Sequence, residues 1–358
     1  MAGRKRIVVA MSGGVDSSTT AALLHEQGHE VTGIGLRFPQ PRAAEESEWG
    51  CCGVRGMDDA RRAAARIGIP FYALNYEDIF KQAVIDYFCS SYLDGRTPNP
   101  CIECNRVVKF GRLLKLADAL EADHLATGHY ARIGRDARTG RHVLKRGVDA
   151  EKDQSYFLYP LSQEQLSRAL FPLGEMTKRE TRELARSFGL KVCDKPASQD
   201  VCFVGTGDYR RYLAERFPES VRPGPIVDGQ GRVVGAHGGI AFYTVGQRKR
   251  LGVAAGERLY VLSVDARTAT IVVGGRDEMR TDTVSVREVN WIAFEEAPGP
   301  VELNVRLRYR EPEVAAEVLP GDEGRAEVRF TEPHARVGAG QSAVFYDGDV
   351  VVGGGIIE

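Results

Sequence analysis

Two groups of residues in this chain have the types and spacing to do chemistry. The first is Ala10-Met11-Ser12-Gly13-Gly14-Val15-Asp16-Ser17-Ser18. Its glycines keep Cβ atoms away from an approaching ligand, its serines offer hydroxyl donors, and Asp16 could share a phosphate-bound Mg2+. A glycine-rich turn that opens a helix aims backbone N–H groups at an anion. No Lys follows the glycines, so this is not the Gly-x4-Gly-Lys-Ser phosphate loop. The second group is a set of thiols. Cys101 and Cys104 stand at CxxC spacing in Asn99-Pro100-Cys101-Ile102-Glu103-Cys104-Asn105, and Cys202 follows in Ser198-Gln199-Asp200-Val201-Cys202-Phe203. With no second CxxC and no His pair, a closed zinc site would lack a ligand. Three thiolates with an open position suit sulfur transfer, or an iron–sulfur cluster with one exposed iron; inert packing also remains open for the pair. A helix starting at this point would favour a thiolate, that of Cys104 in particular.

The elements that must position these groups can be read from the apolar pattern. Ile7–Ala10 is a buried strand entering the glycine turn, and Ala21, Leu23 and Leu24 mark a helix leaving it. Glu30–Leu36, Ile69–Leu74 and Leu125–Thr127 read as further strands, and Met57–Ile67, Tyr76–Leu93 and Asn105–Leu120 as helices. Residues 39–56 read as a polar loop, and Asp94–Pro100 breaks the chain. Strands alternating with helices predict a doubly wound parallel sheet, whose ligands lie beyond the strand carboxyl ends. The glycine loop and Thr127-Gly128-His129 both fall at such ends. Ala131–Arg146 reads as a hairpin turning at Thr139-Gly140, and residues 161–189 as helical. From about Arg222 short β-rich runs alternate with Gly-rich turns, the texture of small β domains or barrels. The expected architecture is α/β: an N-terminal parallel-sheet domain over 1–205, a central β-rich domain over 206–280, and a C-terminal β-barrel over 281–358.

Composition sets bounds on function. Hydrophobic residues make up 43% and charged residues 27% of the chain, as in ordinary globular proteins. No apolar run approaches the roughly 20 residues of a membrane span, and the start has no leader-like apolar core, so a cytoplasmic protein is expected. Seven cysteines are too few and odd in number for a disulfide scaffold. Net charge is −1, but residues 281–358 carry 7 Arg, no Lys and 15 acidic residues, a net −8. Any basic footprint is therefore expected mostly in the first three quarters of the chain.

The first loop resembles the SGGxDS loop of the ATP pyrophosphatase (PP-loop) enzymes. Further segments extend the resemblance in order: Thr97–Asn105 (TPNPCIECN), Ala126–Arg132 (ATGHYAR), Lys152–Leu158 (KDQSYFL), Ser198–Phe203 (SQDVCF) and Pro223–Ile226 (PGPI). Gly239–Leu251, Arg308–Arg310 (RYR) and Gly340–Tyr346 (GQSAVFY) complete the set. Together these resemble the tRNA-specific 2-thiouridylase family over nearly the whole chain. The resemblance implies an adenine nucleotide α-hydrolase-like catalytic domain that adenylates O2 of the wobble uridine. Persulfide sulfur is then transferred to C2, giving 2-thiouridine, AMP and pyrophosphate. It implies ATP contacts at Ala10, Met11, Ser12, Gly13, Gly14, Val15, Asp16, Ser17, Leu36 and Gly128, with Mg2+ alongside. Cys104 matches the nucleophile and Cys202 the persulfide carrier, with a Cys104–Cys202 disulfide left after turnover. Asn99, Pro100 and Cys101 match the segment that meets the target base. His129, Lys152, Asp153, Gln154, Arg308, Tyr309 and Gln341 match tRNA contacts. A tRNA and a persulfide donor protein are the implied partners. Many family members have Asp where this chain has Cys101, and Cys101, Cys104 and Cys202 together raise a [4Fe-4S] cluster.

Plainer readings stand beside these. Arg306, Arg308 and Arg310 alternate with Val305, Leu307 and Tyr309 as along a solvated strand face. Lys152-Asp153-Gln154 reads as turn capping, Cys51-Cys52 as packing, and Cys89 and Cys193 as core. Two other functions compete. A glutamine-dependent PP-loop synthetase would need a glutaminase nucleophile, and residue 2 is Ala. A non-enzymatic nucleotide- or RNA-binding module would not need an intact loop beside two candidate thiols.

Overall fold

β1 (Arg6–Ala10) is apolar on both faces: Ile7, Val8 and Val9 are 0–2% exposed, which is the pattern of a central parallel strand. The computed structural model describes residues 3–39, 54–195, 201–204, 209–218, 221–253, 258–296 and 299–358. The Cys51-Cys52 pair and Ser198-Gln199-Asp200 lie outside the described residues. The chain divides into two compact units, one of 1–85, 101–206 and 349–352, the other of 86–100, 207–348 and 353–358.

In the first unit β1 leads to α1 (Val15–Glu26), β2 (Glu30–Arg37), α2 (Val54–Ile67), β3 (Phe71–Asn75) and α3 (Glu77–Phe80). After α4 (Tyr87–Leu93), which belongs to the second unit, come α5 (Pro100–Glu103), α6 (Leu114–Ala119) and β4 (His124–Ala126). The hairpin β5 (Ala131–Arg135) and β6 (His142–Arg146) follows, then α7 (Gln163–Arg168), β7 (Ala169–Leu170) and α8 (Lys178–Ser187). The sheet order is β3-β2-β1-β4-β7 with every pairing parallel. Small residues on the covering helices, Ala21 and Ala22 of α1, Ala60 and Ala64 of α2 and Ala185 of α8, pack on Val9, Val31 and Ala126 of the strands. Short side chains let the helices lie close, which fixes where the strand ends and the α1 start meet. Val350 and Val351 pair with Lys145 and Leu144 of β6.

The expected helix over 161–189 is interrupted. Ala169 and Leu170 are extended and pair with Leu125 and Ala126 as the fifth strand of the sheet. The cause is Phe171-Pro172: proline cannot continue a helix, and the residue before it is pushed out of the α region. Two expected α-helices also change type part-way, to π-helix over Lys81–Asp86 and over Cys104–Leu113.

In the second unit α9 (Tyr209–Arg216) precedes β8 (Gly224–Val227), β9 (Val233–His237), β10 (Tyr260–Asp265) and β11 (Thr270–Gly274). These form a four-stranded sheet of order β10-β11-β8-β9 around Ile226, Val261, Ile271 and Val273. The remaining strands are β12 (Arg280–Trp291), β13 (Val301–Arg306), β14 (Val314–Pro320), β15 (Ala326–Ala335), β16 (Ser342–Asp347) and β17 (Val350–Ile357). Their order is β12-β15-β14-β13-β16-β17, and β12 also pairs with β17, so the six close into a barrel. Closure leaves no edge strand, and residues such as Val328 and Phe330 alternate inward with exposed Arg329. Among the described residues no helix is long and apolar enough to cross a membrane. β13 stops at Arg306, so Arg308 and Arg310 do not share a strand with it: the chain bends, with Glu311 N–H donating to Arg308 O at 3.1 Å.

Candidate active site

The glycine loop sits at the carboxyl end of β1. Met11 N–H donates to Ile34 O at 2.8 Å, keeping the loop's first residue in register with β2. Ser12 N–H donates to Ser17 Oγ at 3.1 Å, and Ser17 Oγ–H to Gly14 O at 3.3 Å, so the turn is cross-braced by its own serine. Gly13 has φ +74°, and a Cβ there would fall 2.0 Å from the carbonyl oxygen of Gly56. Only glycine satisfies both the conformation and the space. Gly14 is the N-cap of α1 and supplies no side-chain cap, leaving the helix start to whatever anion arrives. Gly128 runs against this turn: a Cβ on it would be 2.8 Å from Asp16 C and Ser17 N. Met11 and Leu36, at the ends of β1 and β2, are 2% and 7% exposed.

A cation that the sequence reading did not single out completes the loop. Lys178 Nζ lies 2.5 and 2.7 Å from the two carboxylate oxygens of Asp16, with its side chain only 13% exposed. The Tyr130 hydroxyl donates to Asp16 Oδ1 at 2.8 Å and lies 3.0 Å from Thr181 Oγ1. Burial, and then the Asp16 charge, raise the Tyr130 pKa far above its ordinary value, so Tyr130 is a neutral donor. Lys178 is the first residue of α8, whose start is fixed by a reciprocal cap between Thr177 and Glu180. A second lysine, Lys195, reaches Asp59 and lies 3.4 Å from Gly13 O. The loop thus lacks a lysine in sequence but has two in space.

The thiols are placed differently from one another. The helix begins at Pro100, so Cys101 rather than Cys104 occupies the first turn where the dipole acts. Cys101 and Cys202 are exposed, whereas Cys104 is 9% exposed. Cys104 is the first residue of the π-helical run, a geometry found mostly at functional sites. Its neighbour Asn105, 2% exposed, donates through Nδ2 to Phe157 O at 3.0 Å and accepts from Lys109 Nζ at 2.9 Å, which anchors the Cys104 turn. Among the described residues no three His, Cys, Asp or Glu side chains gather as metal ligands. Cys101, Cys104 and Cys202 therefore do not gather into the ligand set that the expected [4Fe-4S] cluster would need.

The residues matched to tRNA contacts separate into two sets. In the first unit, Asp153 is 4% exposed and accepts from Gly147 N–H and Ser155 N–H, both at 3.1 Å, which is turn capping. Gln154 Oε1 accepts from Tyr130 N–H at 3.1 Å, tying this turn to the residue that holds Asp16; Lys152 is half-buried. In the second unit, Gln341 Nε2 donates to Thr97 O at 2.8 Å and Thr97 N–H to Ala339 O at 2.7 Å, which clamps the irregular segment leading to Asn99 and Pro100. Arg308 pairs with Glu311, and Tyr309 is half-buried beside it.

His129 is 8% exposed, its ring 5.8 Å from that of Phe171 and its Nδ1 2.6 Å from Thr127 Oγ1. Burial, then the Lys109 charge, holds its pKa well below 6.5. The folded state keeps this imidazole neutral while the unfolded chain protonates it, so His129 contributes stability above about pH 6.5 that is lost as pH falls below it. Urea unfolding at pH 7.5, 6.5 and 5.5 should show stability dropping toward acid, with a shallower drop in His129→Gln. Equal slopes in the two proteins would contradict this.

Comparison with known proteins decides the family. The tRNA methyl transferase HUP domain profile matches residues 5–206, the tRNA methyl transferase PRC-barrel domain 210–275, and the aminomethyltransferase beta-barrel domain 281–357. The tRNA-specific 2-thiouridylase MnmA of Moorella thermoacetica is 51% identical over 352 residues, covering 98% of this chain and 99% of that protein. The MnmA of Heliobacterium modesticaldum is 49% identical over 356 residues, covering 99% and 92%. The chain belongs to the tRNA-specific 2-thiouridylase family. The profile descriptions speak of methyl transfer, but the full-length relatives are 2-thiouridylases, and an SGGxDS loop with placed thiols is the equipment of adenylation and sulfur transfer. Among solved structures, a 4-thiouridine synthetase–RNA complex with bound ATP aligns at TM-score 0.37 and 17% identity over 60% of this chain and 51% of that one.

Proposed function

We infer that this chain is a tRNA-uridine 2-sulfurtransferase, adenylating the wobble uridine at O2 and replacing that oxygen with sulfur. Full-length identity to 2-thiouridylases carries this reading, supported by the intact loop at the carboxyl edge of a parallel sheet. The loop from Ala10 to Ser17 would seat the ATP phosphates at its glycine turn and the start of α1, with Gly128 behind it and Met11 and Leu36 as an apolar floor. The uridine, flipped out of its stack, presents O2 to the α-phosphorus, and pyrophosphate leaves. Catalysis of such a step is positioning plus charge stabilisation. Lys178 lies where it can turn from Asp16 to the departing phosphates. Asp16 fits a Mg2+ that is held mainly by the phosphates, since that ion typically takes one or two carboxylates; it would supply further charge neutralisation.

Sulfur follows. A donor protein would load exposed Cys202 as a persulfide. Cys104 thiolate attacks the Cys202 sulfur, forming a Cys104–Cys202 disulfide and expelling hydrosulfide, which displaces AMP from C2. A thiol reductant then supplies the two electrons that reopen the disulfide. Asn99, Pro100 and Cys101 would meet the target base, with Arg308, Tyr309 and Gln341 on the tRNA. The working division of the chain is 1–205 for catalysis and 206–280 and 281–358 for the substrate, in the cytoplasm.

Unmodified tRNA incubated with the protein, ATP, Mg2+ and a persulfide source should yield 2-thiouridine by nucleoside mass analysis. Pyrophosphate release indifferent to tRNA would instead favour another PP-loop synthetase. Gly13→Ala, with its Cβ on the Gly56 carbonyl, is expected to abolish ATP binding by calorimetry and to cost about 2 kcal/mol or more of stability. Wild-type ATP affinity in that variant would remove the loop from the reading.

A further inference from the structure

The second unit carries an open groove of about 600 Å3 whose lining includes Arg276, Arg280, Arg308, Arg336, His334 and one carboxylate residue, Asp277. Arg308 and Arg336 run against the charge of their own segment, since residues 281–358 total −8, and Arg276 and Arg280 join them. Crowded like charges disfavour the compact state, so nothing in packing accounts for them.

Three of the four are held, each in a different way. Arg308 pairs with Glu311. Arg280 donates through a terminal N–H to Pro333 O at 2.8 Å, and Arg336 through Nε to Glu278 O at 3.2 Å. These bonds fix each guanidinium with further N–H donors left over. Among the described residues, Arg276, Arg280 and Arg336 have no carboxylate within ion-pair distance, and all three are exposed. The backbone beneath is pinned: Arg336 N–H donates to Met279 O at 2.7 Å, and Arg280 pairs with Ala335 in the β12–β15 ladder. The register shifts between Thr281 and Thr283, the kind of bulge that re-aims neighbouring side chains.

We propose that this groove seats the phosphodiester backbone of the substrate RNA, reading charge and not sequence. It rests on the tRNA reading above. Anchored, unneutralised arginines are suited to phosphate oxygens, which they can grip two at a time. The groove is open and its arginines exposed, so it does not enclose a small ligand as a metabolite pocket does. The acidic remainder of the segment repels RNA elsewhere and steers the strand into the groove.

The test is filter binding of unmodified tRNA to the full-length protein across 50–200 mM KCl, with R276A/R280A/R336A beside wild type. The triple variant should bind at least about tenfold more weakly, and its slope of log affinity against log salt should fall by about 2, near 0.7–0.9 per lost phosphate contact. ATP affinity should be unchanged, and R276K/R280K/R336K should keep most of the wild-type slope. Equal affinity and slope in the alanine variant would overturn the proposal. So would equal loss in the lysine variant, which would mark a role in folding. Wild-type binding displaced by inorganic phosphate at matched ionic strength would mark a small-anion site and overturn it too. Wild type that binds no tRNA at all would instead defeat the functional reading.

Discussion

Cys104→Ser and Cys202→Ser proteins should each release pyrophosphate in the presence of unmodified tRNA while forming essentially no 2-thiouridine. On the proposed reading adenylation uses the loop, Asp16 and the cation beside it, and neither thiol belongs to that network. The sulfur steps require both. Serine at either position removes a nucleophile whose reactivity depends on the thiolate, a loss of at least about a thousandfold. The variants should differ from each other because the two sulfurs are placed differently. Cys202 is exposed and open to a loading protein, whereas Cys104 is 9% exposed and screened from it. Persulfide should therefore accumulate on Cys202 in Cys104→Ser, and no persulfide should load in Cys202→Ser. Intact-protein mass analysis would see the added sulfur. Near-normal thiolation in either variant would sink the scheme, and loss of pyrophosphate release in both would mean that the thiols hold the substrate for the first step as well.

Lys178→Gln should lower the rate of tRNA-dependent pyrophosphate release by about a hundred- to a thousandfold, the loss typical when one preorganised charge donor is removed. Lys178→Arg should recover part of it. The argument rests on position: the ammonium is 13% exposed and 2.5–2.7 Å from Asp16, at the loop where phosphates would sit. A lysine that only neutralised Asp16 would behave otherwise. Its loss would leave a half-buried carboxylate with Tyr130 as its remaining donor and cost about 1–2 kcal/mol of stability, with kcat largely intact. Rapid-quench kinetics at saturating ATP, beside thermal unfolding of the same protein, separates the two. A lowered melting point with a wild-type single-turnover rate would assign Lys178 to the fold alone.

The difference between these residues shows where sequence is legible. Ser12, Gly13, Gly14, Asp16 and Ser17 are local: a strand, two glycines and a helix in nine residues define a site by themselves. Lys178 could be recognised as a helix start, because Thr177 and Glu180 form a capping box, but not as part of the loop, since 162 residues separate it from Asp16. The parallel sheet and the barrel followed from alternation and turn spacing, whereas Ala169–Leu170 was lost because two residues carry no period and only pairing with Leu125 and Ala126 makes them a strand. The π-helical run at Cys104 was invisible for the related reason that its residues have ordinary helical spacing. Charge counting is blind in another way. The balance of residues 281–358 points a basic surface mostly toward the first three quarters, and it cannot show that folding gathers Arg308 and Arg336 of that acidic segment with Arg276 and Arg280.

The two units are not consecutive stretches of chain. The first takes in 349–352, whose Val350 and Val351 complete the β6 pairing, while 86–100 belong to the second. During synthesis the first unit therefore cannot complete the β6 pairing when residue 206 emerges; it waits for Val350 and Val351. Contacts this distant along the chain are slow to form. A nascent chain halted before residue 350 would carry the parallel sheet complete but the β6 edge of the hairpin unpaired, open to misassembly. The β5–β6 hairpin of the first unit thereby gains its third strand only from Val350 and Val351, far along the chain from Leu144 and Lys145.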